Sequence, residues 1–294
     1  MWQKFLEDSE EDGAGQEFIV SSQGILCNLN RDDGTVNFFD QRGAAIANYV
    51  VSNDLAKTLI GKYSDDGRYF AATAPGRQIA RNYQLMLFDS IGQQIWTREL
   101  EKKWVLDIVF SPQKRLLAVK YLDFVTRATN AAIFSSRGEL LATLTDDMIG
   151  DAVFAKDDQL LAVNVLSKSN PQTSKLLLYE VPAGRKVFEV QFSKRIYDLK
   201  FGAEGIHIYA LLGEKAVVPQ NLAESQAGKL VPKRSFITSH ALAIINLKGE
   251  LLGMNDLPSL ELYQGILRFY PVSASNLVCI QAGDKFVQYF TVCR

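Results

Sequence analysis

The chain has 294 residues, 47% hydrophobic and 22% charged, with 32 Lys and Arg against 33 Asp and Glu and a formal charge of −1. That balance excludes an overall field that would recruit nucleic acid or an anionic membrane, so electrostatic specificity has to be local. Three widely spaced cysteines, Cys27, Cys279 and Cys293, fit neither a disulfide framework nor a zinc site, and no apolar run approaches the ~18 residues of a membrane span.

At the N-terminus, Met1 to Asp8 turns acidic where a secretory signal needs an apolar stretch, and the expectation is a soluble cytoplasmic protein without membrane insertion. Trp2, Phe5 and Leu6 form a short apolar segment ahead of Glu7-Asp8-Ser9-Glu10-Glu11-Asp12, which reads as a solvated linker. Residues 1–16 are therefore expected to be a closing strand plus an acidic linker, with a single domain over 17–294.

Two phrases then recur along the chain. One ends a strand in a polar turn and a glycine: Phe38-Phe39-Asp40-Gln41-Arg42-Gly43, Leu87 to Gly92, Ile133 to Gly138, Leu178 to Gly184 and Ile244 to Gly249, at glycine intervals of 49, 46, 46 and 65 residues. The other joins two apolar runs through a tight turn: Tyr63-Ser64-Asp65-Asp66-Gly67, Phe110-Ser111-Pro112-Gln113-Lys114, Phe154-Ala155-Lys156-Asp157-Asp158 and Phe201-Gly202-Ala203-Glu204-Gly205. Interleaved, they define strands a to d of a four-stranded unit. Six units fit, over about 17–51, 55–99, 104–145, 149–191, 195–254 and 261–294. Continuous apolar runs such as Leu116 to Val119 and Leu160 to Val163 suit strands buried on both faces.

A strand-built period in the forties predicts an all-β fold, a six-bladed β-propeller of four-stranded antiparallel blades, with seven blades the alternative. The last unit has only three strands before Arg294, and residues 2–6 are the candidate for its missing outer strand. The long interval implies an insertion at about 212–239, where Pro219, Gly228 and Pro232 interrupt an apolar sequence that either covers the rim or anchors a partner.

The b-to-c connections, about 74–83, 121–130, 166–175 and 212–239, are long and basic. They carry Arg77, Arg81, Arg127, Lys168, Lys175, Lys215, Lys229, Lys233 and Arg234 against Asp123, Glu214 and Glu224. Loop variation on one rim marks a binding face, and Arg suits bidentate recognition of carboxylates. Arg77, Arg81, Arg127, Lys168, Lys215, Lys229, Lys233 and Arg234 are the candidate partner-binding residues.

Catalytic patterns are scarce. Only His207 and His240 are present, with no nucleophile elbow, zinc-protease pair or phosphate loop. His207 reads as a structural histidine in a strand, and adjacent Ser239 and His240 point to opposite faces. Asp65-Asp66 and Asp157-Asp158 fall in turns that select Asp for geometry. No catalytic residue, metal site or cofactor is expected.

The repeated phrases resemble those of the WD40-like and quinoprotein-like β-propeller superfamily, in which Phe-Ser-x-Asp-Gly-x-x-Leu-Ala precedes strand b. Tyr63 to Ala71 with Phe88 to Gly92 matches best. Trp-Asp ends and Gly-His pairs are missing, so the resemblance concerns the fold and carries over no functional residue. It implies a non-catalytic scaffold or adaptor whose basic rim binds an acidic protein or peptide. The alternative is a propeller enzyme, a hydrolase or lyase, acting on a small anionic substrate.

Overall fold

The structure, a computed structural model, describes residues 15–51, 58–75, 82–146, 148–170, 172–217 and 235–256, and the strands of 267–271, 277–282 and 285–291. For 215–217, 235–240 and the strands from 267 onward the description is of backbone alone. The expected closing strand at residues 2–6 and the acidic linker lie outside the described residues.

Among the described residues are five four-stranded antiparallel sheets and one three-stranded sheet, each with its strands in chain order. Strands β1 (Gln16–Val20), β2 (Leu26–Asn30), β3 (Thr35–Phe39) and β4 (Ala45–Val50) form the first. The second comprises β5 (Ile60–Tyr63), β6 (Tyr69–Pro75), β7 (Tyr83–Asp89) and β8 (Gln94–Leu100). The third comprises β9 (Lys103–Phe110), β10 (Leu116–Asp123), β11 (Thr129–Ser135) and β12 (Leu140–Leu144). These sheets belong to one compact unit, Met1–Asp146.

The other unit, Asp147–Arg294, holds the remaining sheets. Its first comprises β13 (Ile149–Phe154), β14 (Leu160–Leu166), β15 (Ser174–Glu180) and β16 (Arg185–Phe192). Next come β17 (Arg195–Phe201), β18 (His207–Val217), β19 (Ser235–Asn246) and β20 (Leu251–Asp256). The three-stranded sheet is β21 (Leu267–Pro271), β22 (Leu277–Ala282) and β23 (Lys285–Thr291).

The hairpin chemistry repeats as the sequence predicts. In the a-to-b turns, Ser64 and Ser111 hydroxyls accept the N–H of Tyr69 (3.1 Å) and Leu116 (3.1 Å), and one residue per turn takes the left-handed conformation. In the c-to-d turns a side-chain oxygen two residues before the loop amide does the same work. Asp89 Oδ1 accepts Ile91 N at 3.0 Å and Gln93 N at 2.8 Å, and Asn246 Oδ1 accepts Lys248 N and Glu250 N at 2.9 Å each. A ladder irregularity follows each turn, the signature of a type I turn closed by a bulge.

The middle strands are buried on both faces. Along β7, Leu85 and Leu87 pack with the third sheet's Val119, Tyr121 and Phe134, while Met86 and Phe88 pack with Cys27, Leu29 and Phe38 of the first. Burial pushes the Cys27 thiol up, as an inert core residue requires. Sheets are also joined at the turns. Trp96 of β8 donates its indole N–H to Ser136 O at 2.9 Å and Arg98 Nε donates to Gly138 O at 2.8 Å. Gly138 has φ 80°, and a Cβ there would lie 2.8 Å from the Trp96 ring, so glycine serves both the turn and the docking of the preceding sheet.

The two ends of the segment expected as an insertion, 212–239, are strand, and residues 218–234 lie outside the described residues. Pairing of β18 with β19 continues through Glu214↔Thr238 to Val217↔Ser235, beyond the last partners of β17 (Gly213) and β20 (Ala241). Lys215 therefore stands on a strand of a projecting two-stranded ribbon, not in a loop. The β-branched and aromatic residues Val217, Phe236 and Ile237 favour strand pairing over a coil.

Candidate functional site at the b-to-c edge

In the unit of residues 1–146, the β10–β11 hairpin is closed by its own aspartate. Asp123 N donates to Ala128 O (2.9 Å), and Arg127 N donates to Asp123 O (2.9 Å). The Asp123 carboxylate accepts Val125 N at 2.7 Å and Thr126 N at 3.0 Å. The Thr126 N–H foremost, with Val125 N–H and nearby Lys103 against the opposing effect of burial, holds this carboxyl below the usual range. Asp123 thus spends its charge on the turn, and the turn pushes Val125 (69% exposed) and Arg127 outward.

This hairpin rests on the preceding connection. Phe124 N donates to Lys102 O at 2.9 Å, and Lys102 N donates to Asn82 Oδ1 at 3.0 Å. Asn82 Nδ2 in turn holds Glu99 Oε1 at 2.7 Å. With its backbone so fixed, Lys102 keeps its side chain exposed, and Trp104 two residues on is 38% exposed. Two cations, a tryptophan and a valine are presented by two connections joined by a backbone hydrogen bond, beside Glu101, also exposed. Lys102 lies in the d-to-a connection and Trp104 at the start of β9 rather than in a b-to-c connection, and Val125, though within 121–130, is apolar and so adds nothing to a count of loop charges. Lys102-Lys103-Trp104 beginning a strand was the available signal.

The other candidates divide. Lys168 is exposed in the β14–β15 connection of the second unit. Lys215 is on β18, and its side chain lies outside the description. Arg77, Arg81, Lys229, Lys233 and Arg234 lie outside the described residues. Lys175, counted among the loop cations, is instead on β15, with its ammonium 2.7 Å from Glu189 Oε1 on β16. Lys175 and then Lys186 hydrogen bonds lower the Glu189 carboxyl.

A groove of about 450 Å³ runs between the second and third sheets, lined by Arg98, Lys103, Tyr121, Asn130, Phe134 and Thr143 among others. Lys103 Nζ sits 5.3 Å from the Tyr121 ring centroid. Burial, with Asp123 adding, raises the Tyr121 phenol, against a hydrogen bond from Asn130. In the second unit, the Arg195 guanidinium is 5.2 Å from the Tyr197 ring, and both Arg195 Nε and the Tyr197 hydroxyl are buried without a hydrogen-bond partner among the described residues. Among the described residues no group of three or more His, Cys, Asp and Glu is placed to hold a metal ion, and no helix is long and apolar enough to cross a membrane.

No protein-family model and no curated protein matches this chain. Solved structures do. Hydrazine synthase from Kuenenia stuttgartiensis aligns over 92% of this chain and 74% of its own at 16% identity with a TM-score of 0.59. The Dos1 propeller aligns over 94% and 77% at 10% identity with a TM-score of 0.53. The dihydro-heme d1 dehydrogenase NirN aligns over 90% and 50% at 14% identity with a TM-score of 0.53. At such identities the similarity is one of fold, and repeated turns, meandering four-stranded sheets and these neighbours together make it a β-propeller fold.

Proposed function

We propose that the protein is a non-catalytic interaction module, a scaffold or adaptor, that binds an acidic protein or peptide through its b-to-c rim. In this reading the sheets are the blades of a six-bladed propeller closed by residues 2–6. The cations Arg77, Arg81, Arg127, Lys168, Lys215, Lys229, Lys233 and Arg234 face the partner. One observation carries it: Lys102 and Arg127 are held outward beside exposed Trp104 and Val125 while Asp123, the acid of the hairpin, is consumed by the turn. Arg and Trp beside exposed apolar surface is the composition of an interface centre. Among the described residues, Lys215–Val217 of β18 and Ser235–Thr238 of β19 pair with no strand but each other, and such edges are of the kind that accept a partner strand.

The test is affinity purification from the native host with the wild-type chain and with Lys102→Glu/Arg127→Glu. An acidic partner captured by the wild type and eluted by salt is expected to be lost from the variant at an unchanged melting temperature. Equal capture by both overturns the reading.

A second reading has one observation behind it. Arg195 and Tyr197 offer two unsatisfied buried donors from one strand, chemistry suited to the small anionic substrate of a propeller hydrolase or lyase. Calorimetric titration with phosphate and with succinate decides it. Binding that disappears in Arg195→Gln favours this reading; no heat with either anion ends it.

A further inference from the structure

We propose that the groove between the second and third sheets is a docking site for a short extended segment of a partner polypeptide, one of whose backbone amides hydrogen-bonds the Asn130 carboxamide. The inference rests on the interaction-module reading and adds to it a second surface and a ligand chemistry. Asn130 is 5% exposed, lines the groove and leaves its Oδ1 without a hydrogen-bond partner among the described residues. A buried orphan acceptor costs free energy in the isolated protein and calls for a donor from outside.

The rest of the lining says what kind of donor. Arg98 and Lys103 are balanced by Glu99 and Asp123. Each is already engaged: Arg98 with Gly138 O, Glu99 with Asn82, Asp123 with its turn amides and Lys103 over the Tyr121 ring. Such a wall has no net charge to spend on an ion, and it favours a neutral group that both donates and accepts. A peptide bond is that group.

Leu100, Phe134 and Leu140 supply apolar surface for a neighbouring side chain. The volume falls in the range of ligand pockets, about 300–1,000 Å³. Along its outer side the groove is bounded by β12, the edge strand of its sheet, where Thr143 is exposed, so an extended chain can approach from that edge.

The experiment is an NMR titration of the full-length ¹⁵N-labelled chain with a panel of N-acetylated, C-amidated tripeptides that vary the central residue. At least one apolar-centred tripeptide is expected to give saturable shifts of the Asn130 side-chain amide and the Leu140 and Thr143 backbone amides. Thr143→Trp, which fills the groove from an exposed position, is expected to abolish them. Asn130→Leu with Tyr121→Phe is expected to abolish them as well while leaving the melting temperature equal or higher, because polar atoms in need of partners are removed. No saturation by any tripeptide, shifts unaffected by Thr143→Trp, or a double variant that loses binding only with a lowered melting temperature would overturn the proposal. Arg127→Glu lies outside the groove and leaves this titration unchanged, so failure here is separable from failure of the basic-rim reading.

Discussion

The two edges of the sheets in residues 15–146 are built from the same kinds of residue and put them to different uses. At the edge of the a-to-b and c-to-d turns, side chains reach across to the next sheet. Gln23 Nε2 donates to Asp66 O (3.2 Å) and Trp96 to Ser136 O, while Lys114 Nζ lies 2.8 Å from the Asp66 carboxylate. At the b-to-c edge connections are tied too, by backbone in Phe124 N to Lys102 O (2.9 Å) and by side chain in Arg31 Nε to Leu59 O (3.2 Å) and the Tyr83 hydroxyl to Thr58 Oγ1 (2.8 Å), but Lys102, Trp104, Val125 and Arg127 are left exposed beyond those ties. Both edges hold sheets together, and at the second Lys102 and Arg127 stand outside those bonds. Charge alone does not distinguish them, since both are rich in Lys, Arg and Asp.

The largest break in this contrast comes from the docking edge. Gly138→Val puts a β-branched side chain at φ 80° and into the Trp96 ring, so strain and overpacking add to a loss of about 2–5 kcal/mol. Gly205→Ala is the control. It too has positive φ (72°), but a Cβ there meets nothing within 4 Å, and only the conformational cost of about 1 kcal/mol remains. Urea unfolding of the two variants separates them. Equal losses would mean that the Trp96 contact contributes nothing.

That glycine shows why the fold was legible. The turn that selects Gly138 is closed within Ser135 to Glu139, and a local rule repeated along the chain marks the strand boundaries near it. The expected spans of 55–99 and 104–145 meet sheets of Ile60–Leu100 and Lys103–Leu144. The site was less legible because its electrostatics are non-local. Lys175 looks free in the sequence, yet its partner Glu189 is reached only through pairing of β15 with β16. Asp123 looks like an opposing charge, yet it is a turn cap. Lys215 looks like part of a loop because proline and glycine follow it, while the strand partner that keeps it extended lies some 20 residues on.

A smaller effect sharpens the same contrast through pH. Burial alone would raise the Asp66 carboxyl, but hydrogen bonds from Lys114, Ser64 and the Arg68 N–H outweigh it and the folded value is lowered from 3.8. A carboxyl depressed on folding contributes stability above its unfolded value. That stability is lost as the pH falls below 3.8 and through the folded value. Asp66→Asn is therefore expected to cost about 1 kcal/mol at pH 7 and to weaken the acid dependence of unfolding below pH 4. Urea midpoints measured from pH 7 to pH 3 read both effects, and an unchanged pH slope would mean that the Lys114 contact is not formed in solution.

The smallest expected change in stability is at the opposite edge, and there its smallness is the point. Arg127 is exposed, takes φ 59° and forms no hydrogen bond or ion pair with its side chain among the described residues. Arg127→Glu keeps a non-glycine residue in that conformation, so the backbone cost cancels and stability stays within about 0.5 kcal/mol. Lys114→Glu makes the same reversal at the other edge, at nearly the same φ of 57°, and there the Asp66 ion pair becomes a repulsion. It is expected to destabilise by about 1–2 kcal/mol, most of it at low salt. If instead both reversals lower the melting temperature equally, the cations of the b-to-c edge are part of the fold's own bonding. Conversely, a stable Arg127→Glu chain beside a weakened Lys114→Glu chain leaves Arg127 with nothing to do inside the isolated molecule.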